Sequence, residues 1–289
     1  MTICTPAELA RRVADLAATS PGQPLPSGAA SVVEQLLIML ERGTVRAAER
    51  TTAGEWRAVP WVKQGILLGF RFGRVVEMSL SGLAHRSAFQ FFDKHTFPTR
   101  EFRLEDQVRI VPGGSTIRRG AYVAPGVVCM PPMYINVGAH VGPGTMVDSH
   151  ALVGSCAQVG ARVHLSAAAQ LGGVLEPVNA TPVVIEDDVV VGGNSGIYEG
   201  TVVRERAVIA AGVVLTRGTP VFDLVRETVY RATAERPLEI PAGAVVVPGA
   251  RRVRGDWAEG EGLALQTPVI VKYRDERTDV STSLEQWLR

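Results

Sequence analysis

Residues 135–165 read INVGAHVGPGTMVDSHALVGSCAQVGARVHL, and an aliphatic residue returns there at every sixth position. The interval continues on the N-terminal side and beyond, with Cys129 as its one non-aliphatic member, at Ile117, Val123, Cys129, Ile135, Val141, Val147, Val153, Val159, Leu165 and Leu171. It resumes at Ile185, Val191, Ile197, Val203, Ile209 and Leu215. A period of six fits neither an α-helix nor a strand over a long span. The pattern therefore predicts a supersecondary repeat in which each hexad forms one flat side of a coil.

Three such sides make a triangular coil of about eighteen residues, and stacked coils place the aliphatic positions in one column of core. Four residues after most of these positions the chain carries a small or β-branched residue, such as Ala139, Thr145 or Ala151. Glycines such as Gly126 and Gly138 stand near the same corners, where the backbone has to turn. The sequence thus predicts a mainly β fold, a parallel β-helix built from hexapeptide repeats.

The first hundred residues follow a helical pattern instead. Thr5 and Glu8 form a capping box around a proline, which predicts the start of a helix. A second helix is indicated by the apolar face between Val33 and Leu40, and a third by the segment from Trp61 to Phe72. These patterns predict an N-terminal helical domain ahead of the coil.

The hexads are interrupted between Leu171 and Ile185, where their phase slips by two residues and a protruding loop is expected. Ile240 and Val246 restore the pattern after a charged segment, and the tail predicts a strand over Val269–Tyr273 and a short helix over Leu284–Leu288. The predicted division of the chain is a helical domain over 1–107, a β-helix over 108–250 and a C-terminal extension over 251–289.

Composition narrows the class of protein. The 289 residues are 46% hydrophobic and 20% charged, and 30 basic residues against 29 acidic ones give a net charge of +1. This balance provides no drive toward nucleic acid or anionic membranes. No segment approaches the roughly 20 apolar residues of a membrane-spanning helix, and the N-terminus has no secretory pattern. We therefore predict a cytoplasmic protein that binds neither nucleic acid nor membrane and keeps its three cysteines reduced.

Six longer stretches resemble one family. They are WVKQGILLGFR (61–71), VRIVPGGSTIRRGAYV (108–123), MPPMYINVG (130–138), TMVDSHALVGSCAQVG (145–160), HLSAAAQLGGVLEP (164–177) and IYEGTVV (197–203). Together they are similar to the tetrahydrodipicolinate N-succinyltransferases of the hexapeptide-repeat acyltransferase superfamily. The resemblance runs from about residue 30 to 250 and includes the helical region as well as the coil.

The resemblance implies a left-handed coil, a homotrimer, and transfer of succinyl from succinyl-CoA to the amine of ring-opened tetrahydrodipicolinate in the diaminopimelate and lysine pathway, with no metal. Asp148 and Glu199 match the two acidic positions of the active site, which the resemblance implies are catalytic. Asp148 and Arg109 match substrate-binding positions. Small-molecule substrates and further copies of the chain are the implied partners.

These residue types suit the chemistry. A thioester is attacked by a neutral amine, so a carboxylate beside the nitrogen can accept its proton, as Asp148 or Glu199 would. Arginine forks onto a carboxylate better than lysine does, and the acceptor carries two carboxylates for Arg109. The competing interpretation is that both acids are ordinary corner residues facing water and that Arg109 is a surface charge.

Coenzyme A is expected to lie along the stacked coils with its phosphates near Arg251 and Arg252, which follow the last hexad. The alternative is that these arginines are merely solvated in a turn. Lys63 has two interpretations as well, one as a source of positive potential near the acceptor and the other as part of a solvated helix face. Cys156 is expected to be a packed thiol rather than a nucleophile, since no histidine partner is evident.

Alternative functions stay open at this point. The family usually has a glycine pair where this chain has Ala167 and Ala168, and an arginine and a glutamate where residues 192–196 read GGNSG. An acetyl-CoA donor is therefore a second possibility, on the same or a related amino dicarboxylate. A zinc-dependent lyase of the solenoid carbonic anhydrase type is a third, although the spacing of the histidines matches no local zinc motif. A non-catalytic trimeric scaffold is the fourth.

Overall fold

A computed structural model describes residues 4–20, 23, 24, 26–79 and 90–275. Its α-helices are α1 (Pro6–Ala17), α2 (Ala29–Glu41), α3 (Pro60–Phe72) and α4 (Asp256–Gly260). The N–H of Glu8 donates to the Thr5 hydroxyl at 3.3 Å, and the Glu8 carboxylate accepts the Thr5 N–H at 2.8 Å. The capping box and the three N-terminal helices are thus confirmed. The helix predicted over Leu284–Leu288 lies outside the described residues.

The strands follow in chain order. Two hairpins belong to the N-terminal region, β1 (Ala48–Arg50) with β2 (Trp56–Ala58) and β3 (Val75–Glu77) with β4 (Phe92–Lys94). The strands of the coil are β5 (Arg109–Ile110), β6 (Thr116–Ile117), β7 (Tyr122–Val123), β8 (Val128–Cys129), β9 (Tyr134–Ile135), β10 (His140–Val141), β11 (Met146–Val147), β12 (Leu152–Val153), β13 (Gln158–Val159), β14 (His164–Leu165), β15 (Gln170–Leu171), β16 (Val184–Ile185), β17 (Val190–Val191), β18 (Gly196–Ile197), β19 (Val202–Val203), β20 (Val208–Ile209) and β21 (Val214–Leu215). The last strands are β22 (Val221–Asp223), β23 (Thr228–Tyr230), β24 (Glu239–Ile240), β25 (Ala244–Arg252) and β26 (Ala264–Tyr273).

The coil strands form three parallel sheets, which are the three faces of the coil. The first face holds β5, β8, β11, β14, β17, β20 and β25, the second holds β6, β9, β12, β15, β18 and β21, and the third holds β7, β10, β13, β16, β19 and β24. Each strand pairs with the strand one coil further on, as Val147 does with Leu165. The predicted parallel coil of hexads is confirmed, and its left-handed sense stays a prediction.

The aliphatic hexad positions form the core of the coil. Val153, Val159 and Leu165 are fully buried, and they belong to one cluster that runs from Ile117 to Ile270. Each such side chain contributes roughly 1.5–3 kcal/mol by leaving water. The corners stack as closely as the sides, because a Cβ on Gly142 would lie 2.5 Å from the carbonyl oxygen of Gly160.

The helices pack against the coil. Helices α1, α2 and α3 share a second hydrophobic cluster that also takes in Val137 and Cys156 from the corner between the second and third faces. The loop after α2 is tied to the third face, since Arg46 Nε donates to Gln158 Oε1 at 2.9 Å. The indole of Trp56 donates to Glu186 Oε1 at 2.8 Å. The helical region therefore covers part of the third face and the corner beside it. None of the helices in the described ranges is both long and apolar enough to cross a membrane.

The predicted loop protrudes between β15 and β16. One side of the coil spans the whole interval from Leu171 to Ile185, so the loop is an insertion into a single side. At the other end of the coil, β25 extends beyond the last coil to Arg252. It pairs there with β26 to form a two-stranded arm. The predicted strand over Val269–Tyr273 is confirmed as the second half of β26.

Candidate active site

Asp148 follows β11 directly, at the corner between the first and second faces. Its Oδ1 accepts the N–H of Ser149 at 2.7 Å, and its own N–H donates to the Leu165 carbonyl at 2.9 Å. The side chain is 30% exposed, and Oδ2 lies 3.8 Å from Nε2 of His164. The backbone thus holds this carboxylate at the edge of the coil, with one oxygen hydrogen-bonded locally and the other directed at an imidazole.

Glu199 lies at a different corner, between the second and third faces. It adopts a left-handed backbone conformation with φ of 53°, and its Oε2 accepts the N–H of Arg217 at 2.8 Å. Two cavities of about 340 and 630 Å³ adjoin it. Both are lined by Pro177 and Ala180 of the protruding loop and by Arg217. A carboxylate, a guanidinium and open space therefore meet at this corner.

Arg217 was not predicted from the sequence. Its Nη2 donates to the carbonyls of Thr233 and Ala234, which orients the guanidinium beside Glu199. It stands one coil beyond Glu199, since Ile197 pairs with Leu215 in the parallel ladder. No sequence motif marks it, although the coil pairing places it above Glu199 once the phase of the hexads is known.

One chain does not bring Asp148 and Glu199 into a common cleft. The first residue leads into β12 and the second follows β18, and these strands are two steps apart on the second face. At about 4.8 Å per step, the axial offset alone is about 10 Å. The two residues also occupy opposite edges of that face. A single chain therefore does not place both acids around one small substrate.

Arg109 lies on β5, on the same face as the strand before Asp148. It pairs with Val128, which in turn pairs with Met146, so Arg109 is two strands away from the start of the Asp148 corner. The residue is exposed. Arg109 thus lies on the face that ends at the Asp148 corner, with an axial offset of about 10 Å from it.

Arg251 and Arg252 lie on the arm formed by β25 and β26, where they pair with Leu265 and Ala264 and are exposed. Gln266, one position before Thr267 on β26, donates from Nε2 to the carbonyl of Gly212 at 3.4 Å. Gly212 follows β20 at the corner between the first and second faces, the corner that also carries Asp148. The stacked corners between the first and second faces form one edge of the coil. The arm therefore crosses this edge three strand steps, or about 14 Å, beyond Asp148.

Small side chains occupy that edge between Asp148 and the arm. We refer to this set as the small-residue edge, and it consists of Ser166, Ala167, Ala168, Gly192, Gly193, Asn194, Ala210, Ala211 and Gly212. A Cβ on Gly192 would lie 2.4 Å from the backbone nitrogen of Ala211, so successive coils are in close contact there. Most of these side chains are a hydrogen or a single methyl group, so they project little from the edge.

The histidines are on different faces. His140 lies on the third face, where it stacks on Tyr122 at 4.4 Å, and burial together with the charge of Arg46 lowers its pKa to about 3. His164 lies on the first face beside Asp148. In the part of the chain that the structure describes, no three histidine, cysteine or acidic side chains cluster as metal ligands. Cys156 is a packed thiol, because it is fully buried in the helical cluster, and this burial raises the pKa of the thiol to about 12.

Lys63 is not part of a solvated helix face, which corrects that interpretation. Its side chain is completely buried, and its ammonium donates to the carbonyl oxygen of Ala180 at 2.5 Å. Ala180 lines both cavities beside Glu199. A lysine in a helix pattern is ordinarily assigned to solvent, so the sequence carried no signal for this contact.

Known proteins match this chain along nearly its whole length. A family model described as "Tetrahydrodipicolinate N-succinyltransferase N-terminal" matches residues 17–72, and one described as "Hexapeptide repeat of succinyl-transferase" matches residues 182–217. The 2,3,4,5-tetrahydropyridine-2,6-dicarboxylate N-succinyltransferase of Rhodopseudomonas palustris is 40% identical over 260 residues, which is 89% of either chain. That of Polynucleobacter asymbioticus is 36% identical over 268 residues, or 91% of either chain. The chain belongs to this family.

Membership of the N-succinyltransferase family makes the protein an acyltransferase, as predicted, and sets aside the non-catalytic scaffold. A solved structure of a putative 2,3,4,5-tetrahydropyridine-2-carboxylate N-succinyltransferase from Campylobacter jejuni is 17% identical with a TM-score of 0.43, over 83% of this chain and 62% of that one. The family assignment therefore rests on the sequence relatives.

Proposed function

We propose that this N-succinyltransferase transfers succinyl from succinyl-CoA to the amine of ring-opened tetrahydrodipicolinate, in the pathway to diaminopimelate and lysine. The observation that carries the proposal is the likeness to named relatives over about nine tenths of both chains. The two family-like acids support it, since both stand at corners of the coil and one adjoins two cavities. A cytoplasmic location is proposed with it.

The proposed assembly is a homotrimer whose active sites lie between subunits. Leu152 and Val214 are directed outward from the second face and stay accessible in the single chain, so this face offers apolar surface to another copy. In a closed ring, the second face of each subunit would point toward the symmetry axis. The corner between the first and second faces of one subunit would then contact the corner between the second and third faces of the next. That contact would bring Asp148 of one subunit toward Glu199 of the neighbouring one, with the seven-carbon acceptor between them.

The proposed reaction is a direct transfer in a ternary complex. The neutral amine attacks the thioester carbonyl, an N–C bond forms, and the C–S bond breaks to release the CoA thiolate. The proton of the amine passes to a carboxylate, a role for Asp148 or Glu199 worth about 10²–10⁴ in rate. Arg109 would bind a carboxylate of the acceptor, and no acyl-enzyme on Cys156 is required.

The proposed path of the donor follows the small-residue edge. Pantetheine would lie along this edge because the alanines and glycines project little from it. Its thioester end would then reach Asp148, while the phosphates would lie near Arg251 and Arg252 on the arm that crosses the same edge. No step of this proposal needs a metal ion.

Thiol release tests the proposal. The purified protein is given tetrahydrodipicolinate with succinyl-CoA or acetyl-CoA, and free CoA is measured with a thiol reagent while the acylated product is weighed by mass spectrometry. We expect release with succinyl-CoA and a product heavier by one succinyl group. Faster turnover with acetyl-CoA would show that acetyl-CoA, and not succinyl-CoA, is the donor. If neither donor released CoA in an acceptor-dependent way, the proposed function would be wrong.

A further inference from the structure

Lys63 is fully buried although its side chain ends in an ammonium group. It lies on α3 between apolar neighbours such as Val62 and Ile66, which are also fully buried. Burying an ammonium is costly unless an acceptor compensates for the lost water. Desolvation accordingly lowers the pKa of Lys63, and the nearby Cys156 opposes that shift only in part. A methionine would fill the same space at lower cost, so packing does not explain the lysine.

The acceptor that Lys63 reaches belongs to the protruding loop. Its ammonium donates to the Ala180 carbonyl at 2.5 Å, which joins the helical region to residues 172–182 of the coil. The rest of this loop is held by the N–H of Gly172, which donates to the Ile197 carbonyl at 2.8 Å, by Leu175, which packs against the helical cluster, and by two further backbone hydrogen bonds. The N–H of Val174 donates to Ser155 at 3.1 Å, and the N–H of Ala180 donates to Pro177 at 3.0 Å.

The loop also forms the wall of the space beside Glu199. Pro177 and Ala180 line both cavities there, and Gly172 and Gly173 line the larger one. At the rear of the loop, the Thr181 carbonyl lies so close to Gly200 that a Cβ on this glycine would approach it to 2.4 Å. A shift of the Ala180 carbonyl would therefore change the shape of the site next to the carboxylate.

We propose that Lys63 is a positioning residue for the active site: by holding the Ala180 carbonyl, it keeps the loop in the shape that binds substrate at Glu199. The inference rests on the proposed function for the identity of the substrates. Without the hydrogen bond, only a fraction of the molecules would hold the loop in its binding shape, and the apparent dissociation constant would rise by the inverse of that fraction. Once substrate is bound the loop is ordered, so kcat is expected to change little.

The test compares Lys63→Met with Lys94→Met. Both lysines donate to a backbone carbonyl, but Lys94 Nζ reaches Gly73 at 2.8 Å in the helical region and does not line the cavities at Glu199. Methionine keeps most of the volume and removes the donor. Steady-state kinetics of thiol release and amide hydrogen exchange by mass spectrometry are measured for both variants and the unaltered protein.

For Lys63→Met we expect KM to rise at least about fivefold with kcat within about twofold, and exchange to speed up at least about tenfold in peptides that cover residues 172–182 only. Lys94→Met is expected to match the unaltered protein in both measurements. Unchanged KM and unchanged exchange in the loop would overturn the proposal, as would a uniform rise in exchange over the whole chain, which would indicate a purely structural role.

The exchange measurement needs no substrate. If the unaltered protein failed to transfer succinyl, the proposed function would be wrong, while faster exchange confined to residues 172–182 in Lys63→Met would still support the hold on the loop. If transfer proceeds and the loop is unaffected, the inference about Lys63 alone is wrong.

Discussion

The carboxylate of Glu199 accepts a hydrogen bond from the backbone N–H of Arg217, one coil further along, at 2.8 Å. The bond uses one oxygen of the carboxylate and a main-chain donor, while Nη2 of the Arg217 guanidinium is held by the carbonyls of Thr233 and Ala234, and both residues line the same two cavities. The parallel pairing of Ile197 with Leu215 fixes this relationship. The rigid coil thus orients an acid and a cation together.

Glu199→Gln is expected to lower kcat by at least about tenfold, because the amide keeps an oxygen for the Arg217 N–H but cannot accept a proton. The melting temperature and the oligomeric state should stay unchanged. Glu235→Gln is the matched control, since Glu235 lines the smaller of the same cavities and its carboxylate accepts a hydrogen bond from the Thr233 hydroxyl. Full activity in Glu199→Gln would remove this residue from the mechanism.

The double variant Arg251→Gln, Arg252→Gln is expected to weaken CoA binding at least about fivefold, because two charge-assisted contacts to phosphate would be lost. Calorimetry with CoA and with dephospho-CoA measures the effect, and the difference between the two ligands should shrink in the variant. Arg57→Gln on β2 serves as the control, since that arginine pairs with Glu49 in the helical region, away from the arm. Equal CoA affinity in the double variant and the unaltered protein would show that these arginines do not contact CoA and are solvated.

The lowered pKa of His140 leads us to expect that the stability of the fold depends on pH. The pKa of this ring falls from an ordinary value near 6.5 to about 3, chiefly through burial and then through Arg46. Between these values the unfolded chain binds more protons than the folded one, so the free energy of unfolding should fall as the pH falls, by up to about 1.4 kcal/mol per pH unit. The ring stacks on Tyr122 and lies beside Gln158 on the next strand, and it shares a cavity with the charged residues Arg46, Arg50, Glu186, Asp187 and Glu205.

Urea unfolding at several pH values from 7 to 4 checks this expectation. His140→Gln should flatten the pH dependence over that range, because the titrating ring is gone. His95→Gln is the control, since His95 is outside the coil and bonds to the Arg74 backbone near the surface. A slope that is the same in His140→Gln and in the unaltered protein would assign the acid sensitivity to other groups.

The repeat could be predicted from the sequence because each hexad repeats the same physical requirement, an aliphatic side chain facing inward and a small residue at the corner. Val153 and Leu165 are examples, both fully buried as predicted. The capping box at Thr5 and the strand over Val269–Tyr273 could be predicted for a similar reason, because each depends on residues that are close together in the sequence.

The face that carries Glu199 could not be predicted, for a reason that lies in the loop. A phase slip reveals the size of an insertion only up to multiples of six, and the interval from Leu171 to Ile185 fits two sides with two extra residues as well as one side with eight. The structure has one side there, which sets Glu199 at the corner between the second and third faces. The other choice would have moved it to the next corner.

Contacts between the helical region and the coil were also beyond the sequence pattern. Lys63 reaches Ala180 across more than a hundred residues of chain, and Arg46 reaches Gln158 in the same way. Periodicity describes which side of an element is buried, and it does not identify the partner. A charged residue that is buried against a distant carbonyl therefore cannot be predicted from periodicity.

The most direct test of the account is subunit mixing between Asp148→Asn and Glu199→Gln. Each variant alone should be nearly inactive. When they are unfolded and refolded together in equal amounts, a site shared between neighbouring subunits of a trimer regains both acids at random, and about a quarter of the full activity should return. No recovery above the separate variants, with mixed trimers demonstrated by mass spectrometry, would contradict a site built from Asp148 of one subunit and Glu199 of the next.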